Sequence, residues 1–340
     1  MAVYDAWLGR MKGWLSGSRG AGQAPACVYV SRSAVAVVRA GDALGRQAVV
    51  RADPLSDLAD LSDVLREQLR SLQVMGMNCN LVLAPEFYAL QLMEKPEVPD
   101  AELKEAVRWK LQDQVEFSVE NAVLDVFPMP YGASRHGHMI FAVVMPLELL
   151  RLIVTAVVDA GVKRIDAIDI SELTLRNLSW RCFPQADQSV GLLRLTANSG
   201  LVNVSRGDDL YLSRRISGVP ADFDESAWGE FRERLLVQVQ RSLDYYQSAM
   251  GQPACDMLMV ACTDSWTSRV TEYLTEMLPM PVRSVHEALA GEFAIRLHNP
   301  TPADVDWDTI TAEQTDALAA SIPALGGILR AQIDTQGVAA

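Results

Sequence analysis

Residues 189–216 read SVGLLRLTANSGLVNVSRGDDLYLSRRI. Leu- and Val-rich runs broken by short polar stretches, with Arg206-Gly207-Asp208-Asp209 as a hairpin turn, predict a β meander. A long helix follows, in which Trp228, Phe231, Leu235, Val239, Ser242 and Tyr246 share one face. The same order of elements stands near the start of the chain. CVYVSRSAVAVVRA (27–40) reads as strand, turn and strand, and QAVVRA (47–52) pairs beside them. Residues 55–74 then place Leu58, Leu61, Leu65, Leu69 and Leu72 on one helical face. A meander followed by a helix thus occurs twice, near 27–74 and near 189–248, and this coarse duplication decides the fold.

Between the halves lies different material. NCNLVLA (78–84) closes the first unit, and YALQLMEKP (88–96) opens a second. Asp100 is placed to cap a helix reaching Phe117, with Leu103, Val107, Leu111 and Val115 at steps of four. AVLDVFPMPY (122–131) and HMIFAVVMP (138–146) add two strands, and a helix from Leu147 to Ala160 ends at Gly161. IDAIDI (165–170) leads back through a helix to about Trp180. Beyond the second meander come a strand at DMLMVAC (256–262), a helix over 265–278, a short strand at PVRSV (281–285), an acidic loop over 300–322 and a closing helix, SIPALGGILR (321–330). At the other end, Tyr4, Trp7, Leu8, Met11, Trp14 and Leu15 form one helical stripe. The Gly/Ser-rich segment 16–25 separates that stripe from the body.

A chain of 340 residues with a formal net charge of −13 buries a large core and repels phosphate backbones, which argues against nucleic acid as a partner. Five cysteines, none in a CxxC pair, read as reduced thiols. No apolar stretch reaches the ~18 residues of a membrane helix, so a cytoplasmic chain is expected.

Two meander-plus-helix halves, the first interrupted by a β-α-β-β-α module, are the layout of the α/β actin-like (ribonuclease H-like, duplicated) fold. The expected division is 1–24 helix and linker, 25–86 first half, 87–162 inserted subdomain, 163–186 return to the first half, 187–332 second half and 333–340 tail. WKLQDQVEFSVENAVLDVFPMP (109–130), VKRIDAIDISELTLRNL (162–178), LYLSRRI (210–216), VQVQRSLDYYQS (237–248) and PALGGILR (323–330) resemble, in order, landmarks of the PilM-like proteins of type IV pilus assembly. The likeness is to the branch encoded with mannose-sensitive haemagglutinin (MSHA) pilus genes, and the cytoplasmic part of GspL-type secretion proteins is a cousin. The resemblance implies a scaffold peripheral to the cytoplasmic face of the inner membrane. It would bind the tail of a PilN-like bitopic protein and connect to other assembly components, including the motor ATPase.

Actin-like ATPases hold nucleotide between two hairpins that each carry an Asp for the metal and a Gly for close phosphate approach, with a late Gly turn over the adenine. Against the family pattern, Tyr29 stands in the first Asp place and Ser31 in the Gly place of Tyr29-Val30-Ser31-Arg32-Ser33. Arg194 and Thr196 replace the second pair, and Val260-Ala261-Cys262-Thr263 lacks the late glycines. No Walker A sequence substitutes for them. The resemblance therefore implies a pseudo-ATPase with no cofactor. The alternative is an ATP-binding actin-like switch with weak ATPase activity; short of that, Arg32 and Arg194 would neutralise phosphates without metal and give weak nucleotide binding.

The module and the first half's sheet are expected to form the partner groove, with Phe87, Tyr88 and Phe117 as walls and Trp109, opposite the apolar face of its helix, as an anchor. The stripe at 4–15 serves as a membrane foot or a docking helix. His136-x-His138 is too few ligands for a metal site, and reads as a hairpin tip. Asp166 and Asp169 are read as structural rather than as an acid–base pair. Tyr246 is assigned to the core and the acidic 304–316 stretch to a solvated loop.

Overall fold

The computed structural model describes residues 26–41, 47–135, 137–221, 224–262, 266–298, 302–304 and 312–330. The stripe residues Tyr4, Trp7, Leu8, Met11, Trp14 and Leu15, the linker, His136, Thr263 and the tail lie outside the described residues.

The first half begins with β1 (Ala26–Val30), β2 (Ala34–Ala40) and β3 (Gln47–Pro54), then α1 (Leu61–Ser71) and β4 (Asn78–Leu83). The module follows as β5 (Ala89–Glu94), α2 (Leu103–Leu111), β6 (Ala122–Pro128), β7 (Met139–Pro146) and α3 (Leu147–Asp159). The chain returns through β8 (Arg164–Ile170) and α4 (Ser171–Cys182). The second half is β9 (Ser189–Thr196), β10 (Ser199–Arg206), β11 (Asp209–Ile216), α5 (Glu225–Asp244), β12 (Met257–Cys262), α6 (Trp266–Met277), β13 (Val282–Ser284) and α7 (Val285–Glu292). β14 (Ala294–His298), β15 (Pro302–Asp304) and α8 (Ala312–Ile328) complete it.

The duplication is written in the strand order. The first sheet runs β15-β14-β3-β2-β1-β4-β8 and the second β11-β10-β9-β12-β13. Each half therefore contains a meander whose first strand also pairs, in parallel, with the strand after the helix. The second sheet is covered on both faces, and alternation sorts its side chains between two cores. Leu192, Met257 and Met259 join the large core shared with the first half, whereas Leu193, Leu195, Leu258 and Val260 pack with Trp228, Phe231 and Leu235 of α5. The module keeps its own small core of Leu103, Val107, Leu111, Leu124 and Ala142.

Three segments of the chain depart from the sequence expectation. The module helix stops at Leu111 rather than Phe117, because Arg108 donates from Nη1 to the carbonyls of Val119 and Ala122 and turns the chain back along the helix. Asp100 does not cap that helix through its side chain and instead meets Lys95 Nζ at 3.0 Å. Residues 294–304, expected in the second half, add two strands to the first sheet, with β14 parallel to β3. The closing helix begins at Ala312, inside the expected acidic loop, and runs through Pro323.

α4 and α8 lie against one another beside both sheets, and their approach sets the geometry of the cleft. A Cβ on Gly326 would stand 1.9 Å from the Thr174 carbonyl oxygen, so only glycine permits this contact. The last carbonyls of α8 find buried donors: Asn177 Nδ2 to Gly326 at 3.2 Å and Asn80 Nδ2 to Gly327 at 3.0 Å. Arg330 closes the helix onto β8 through a 2.5 Å ion pair with the buried Asp169. Asp166 pairs separately with Arg164 at 2.5 Å, so the two carboxylates serve different partners. Tyr246 is fully buried.

Candidate functional site

Two cavities meet at the junction of the halves. The larger, about 890 Å³, lies between the two meanders and brings together Tyr29, Ser31, Ser33, Arg194 and Thr196. These are the positions that the sequence assigned to a nucleotide site. Ala261 and Cys262 do not line it; both are buried within β12, where burial pushes the Cys262 thiol up.

The first hairpin turn is closed by its own side chain. Ser31 Oγ accepts from the N–H groups of Ser33 (3.3 Å) and Ala34 (2.9 Å), and donates to the Ala34 carbonyl at 2.9 Å. The Arg32 N–H donates to Glu86 Oε1 at 2.9 Å. The three consecutive amides that a glycine hairpin would turn toward a phosphate are thereby occupied. Tyr29 is buried, and its ring lies 5.4 Å beneath the Arg194 guanidinium. Arg194 Nη1 donates to the Tyr29 hydroxyl and Nη2 to the Ala319 carbonyl, each at 3.4 Å. That carbonyl is available because Pro323, four residues on, has no N–H to return to it.

The smaller cavity, about 600 Å³, is a groove lined by Phe87, Tyr88 and Phe117, together with Ala89, Leu90 and Gln91 of β5. Three consecutive β5 residues line it, so the strand presents its edge rather than a face. The expected wall from the first half's sheet is not found: no strand of that sheet lines the groove, the β1–β2 turn contributes only Arg32, and the opposite wall is Ser213 and Arg215 of β11 in the second half. β5 and β11 are each the terminal strand of their sheets among the described residues. Trp109 is not part of this groove. It stands on the outer face of α2, 67% exposed, opposite the buried Leu103, Val107 and Leu111.

Behind the groove the entry to the module is tied down. Arg215 Nη2 donates to the carbonyls of Pro85 and, at 2.8 Å, Tyr88. The Tyr88 hydroxyl donates to Glu172 Oε2 and accepts from the Ser171 N–H at 3.1 Å. Burial pushes the Glu172 carboxyl above its ordinary range, opposed by the Tyr88 hydrogen bond. Arg215 and Glu172 were not singled out in sequence. Arg215 lies in LYLSRRI, whose strand pattern says nothing about what a terminal strand faces.

The arrangement of two duplicated sheets around a central cleft is the actin-like ATPase fold. A "PilM-PilN type IV pilus biogenesis complex" is similar to this chain with a TM-score of 0.64 at 18% identity, covering 91% of this chain and 98% of that one. Two further structures give lower scores. The cytoplasmic domain of EpsL, an inner-membrane component of the Vibrio cholerae type II secretion system, has 12% identity, covers 78% and 93% of the two chains, and has a TM-score of 0.43. A Bacteroides thetaiotaomicron protein of actin-like ATPase fold and unknown function has 8% identity, covers 79% and 93%, and has a TM-score of 0.46. No protein-family model and no curated protein matches the sequence.

Proposed function

We propose that this chain is a cytoplasmic scaffold, peripheral to the inner membrane, in a type IV pilus-type assembly machine. It holds the extended tail of a PilN-like membrane protein in the groove between the module and β11. The observation that carries the reading is the groove itself: two terminal strands, β5 and β11, flank a cavity of about 600 Å³ with Phe117 half-buried in its wall. An added strand would satisfy edge amides and carbonyls while its side chains fill the cavity. The fold-level likeness to the PilM–PilN complex supports this choice of partner. The ordered landmarks of the MSHA branch favour that pilus type, and connection to the motor ATPase follows from the same reading.

The nucleotide site is proposed to be degenerate. Tyr29 and Arg194 occupy the places where metal-holding carboxylates are expected, and the amides of Arg32, Ser33 and Ala34 are already hydrogen-bonded. ATP with Mg²⁺ is therefore not a required cofactor in this reading.

The test is binding of the PilN-like cytoplasmic tail as a labelled peptide. Phe117→Ala is expected to weaken it about tenfold, near 1.4 kcal/mol, while Trp109→Ala binds as the wild type does. Equal loss in both variants, or in neither, removes the groove from the proposal.

A further inference from the structure

The first sheet carries an apolar surface at the end away from the cleft. Two connections meet there: 72–77, between α1 and β4, and 160–163, between α3 and β8. The Gly76 N–H donates to the Gly161 carbonyl and the Lys163 N–H to the Met77 carbonyl, each at 2.9 Å. The Met75 thioether lies against Gly161, where a Cβ would stand 2.4 Å from its methyl carbon, and the Gly161 N–H donates to the Val158 carbonyl at 3.0 Å. Met75, Met77 and Val158 are thereby gathered, yet they are 42%, 39% and 47% exposed. Large apolar side chains scattered singly over a surface are ordinary, but a cluster marks a contact site.

The start of the described chain lies at the same end. β1 and β4 are parallel, and Ala26 pairs with Cys79, two residues beyond Met77. At strand spacings of about 4.8 Å across and about 3.3 Å along, the Cα atoms of Ala26 and Met77 lie within about 10 Å of each other. Ten residues, 16–25, join Ala26 to the apolar stripe of Tyr4, Trp7, Leu8, Met11, Trp14 and Leu15. A Gly/Ser-rich stretch of that length spans about 17 Å on average and about 33 Å at most. The stripe is therefore tethered beside this surface at a high effective concentration. Its chemistry also suits it: methionine is unbranched and polarisable, fits irregular surfaces and makes favourable contacts with aromatic rings. Residues 331–340, by contrast, contain no aromatic side chain.

We infer that residues 4–15 dock in cis on the surface of Met75, Met77 and Val158, with Trp7 and Trp14 against the two thioethers. The contact removes apolar groups of both sides from water. It leaves the tail groove open, because that groove is lined by Arg32 and Glu86 at the opposite end of β1 and β4. The inference stands independently of the tail-binding proposal.

Methionine oxidation by hydrogen peroxide in the full chain, read by mass spectrometry, tests it. Met277, at the end of α6 and 46% exposed, is the internal reference. Met75 and Met77 are expected to oxidise at least about threefold more slowly than Met277 in the wild type. In a variant carrying Trp7→Ser and Trp14→Ser, which alters none of the described residues, the three rates are expected to agree within about twofold. Val158→Asp sets a charge in the surface and is expected to release Met75 and Met77 in the same way. Protection within one chain is expected to survive about hundredfold dilution. Oxidation of Met75 and Met77 as fast as Met277 in the wild type overturns the inference, as does protection that persists in either variant. Protection lost on dilution assigns the surface to a second copy. Trp-dependent flotation with phosphatidylglycerol vesicles, without protection, assigns the segment to a membrane. Either result overturns docking in cis.

Discussion

Asp169 and Glu172, three residues apart, show how differently two buried carboxylates are treated. Asp169 is paired with Arg330 at 2.5 Å across the end of α8. Asp169→Ala removes one partner of a mostly buried ion pair, and a loss of about 3–5 kcal/mol in urea denaturation is expected; a change below about 1 kcal/mol would mean that the pair is not structural. Glu172 has no cation within ion-pairing distance among the described residues and leans on the Tyr88 hydroxyl. Because burial raises its folded-state pKa above 4.5, the folded chain holds that proton more tightly than the unfolded chain does. The associated stability is complete below 4.5 and is lost as pH rises through the raised value. Relative to Glu172→Gln, the wild type should therefore lose stability as pH is raised from that point, as read by thermal unfolding across pH. A pH-independent difference would refute the assignment. At the cleft, turnover of Mg-ATP is expected to stay at the uncatalysed background. Phosphate release abolished by Ser31→Ala or Thr196→Ala would reverse that reading.

At the scale of elements, α8 shows what was legible and what was not. PALGGILR was recognisable as a landmark, and Gly326 explains its glycines, since the helix touches the Thr174 backbone there. Gly326→Ala must push α8 away from α4, and about 3 kcal/mol or more of lost stability is expected in denaturant titration. A neutral substitution would show that the two helices do not approach as described. The start of α8 was not legible. Pro323 fits a first helical turn as well as an interior position, and the preceding acids read as solvated loop. Only the tertiary partner of the freed Ala319 carbonyl, Arg194, distinguishes the two. β14 was missed for a related reason. AIRLH (294–298) is short, and its partner β3 lies some 250 residues earlier, a pairing that local periodicity cannot register. The meanders, by contrast, carry their partners beside them in sequence.

At the scale of the molecule, the duplication and the inserted module followed from the order of strands and helices, and the structure places them in two sheets of matching order. Tyr29, Ser31, Arg194 and Thr196 converge on one cavity, and Phe87, Tyr88 and Phe117 on another. The participation of β11 was not visible, because which strand edge faces an inserted module depends on packing between distant segments. That strand makes the central claim testable by position. Hydrogen exchange of backbone amides, measured with and without the PilN-like tail, reads both groove edges at once. Slowed exchange is predicted in both 89–94 and 209–216 on adding the tail. Bound tail with protection in neither segment would contradict a scaffold that holds its partner between module and second half.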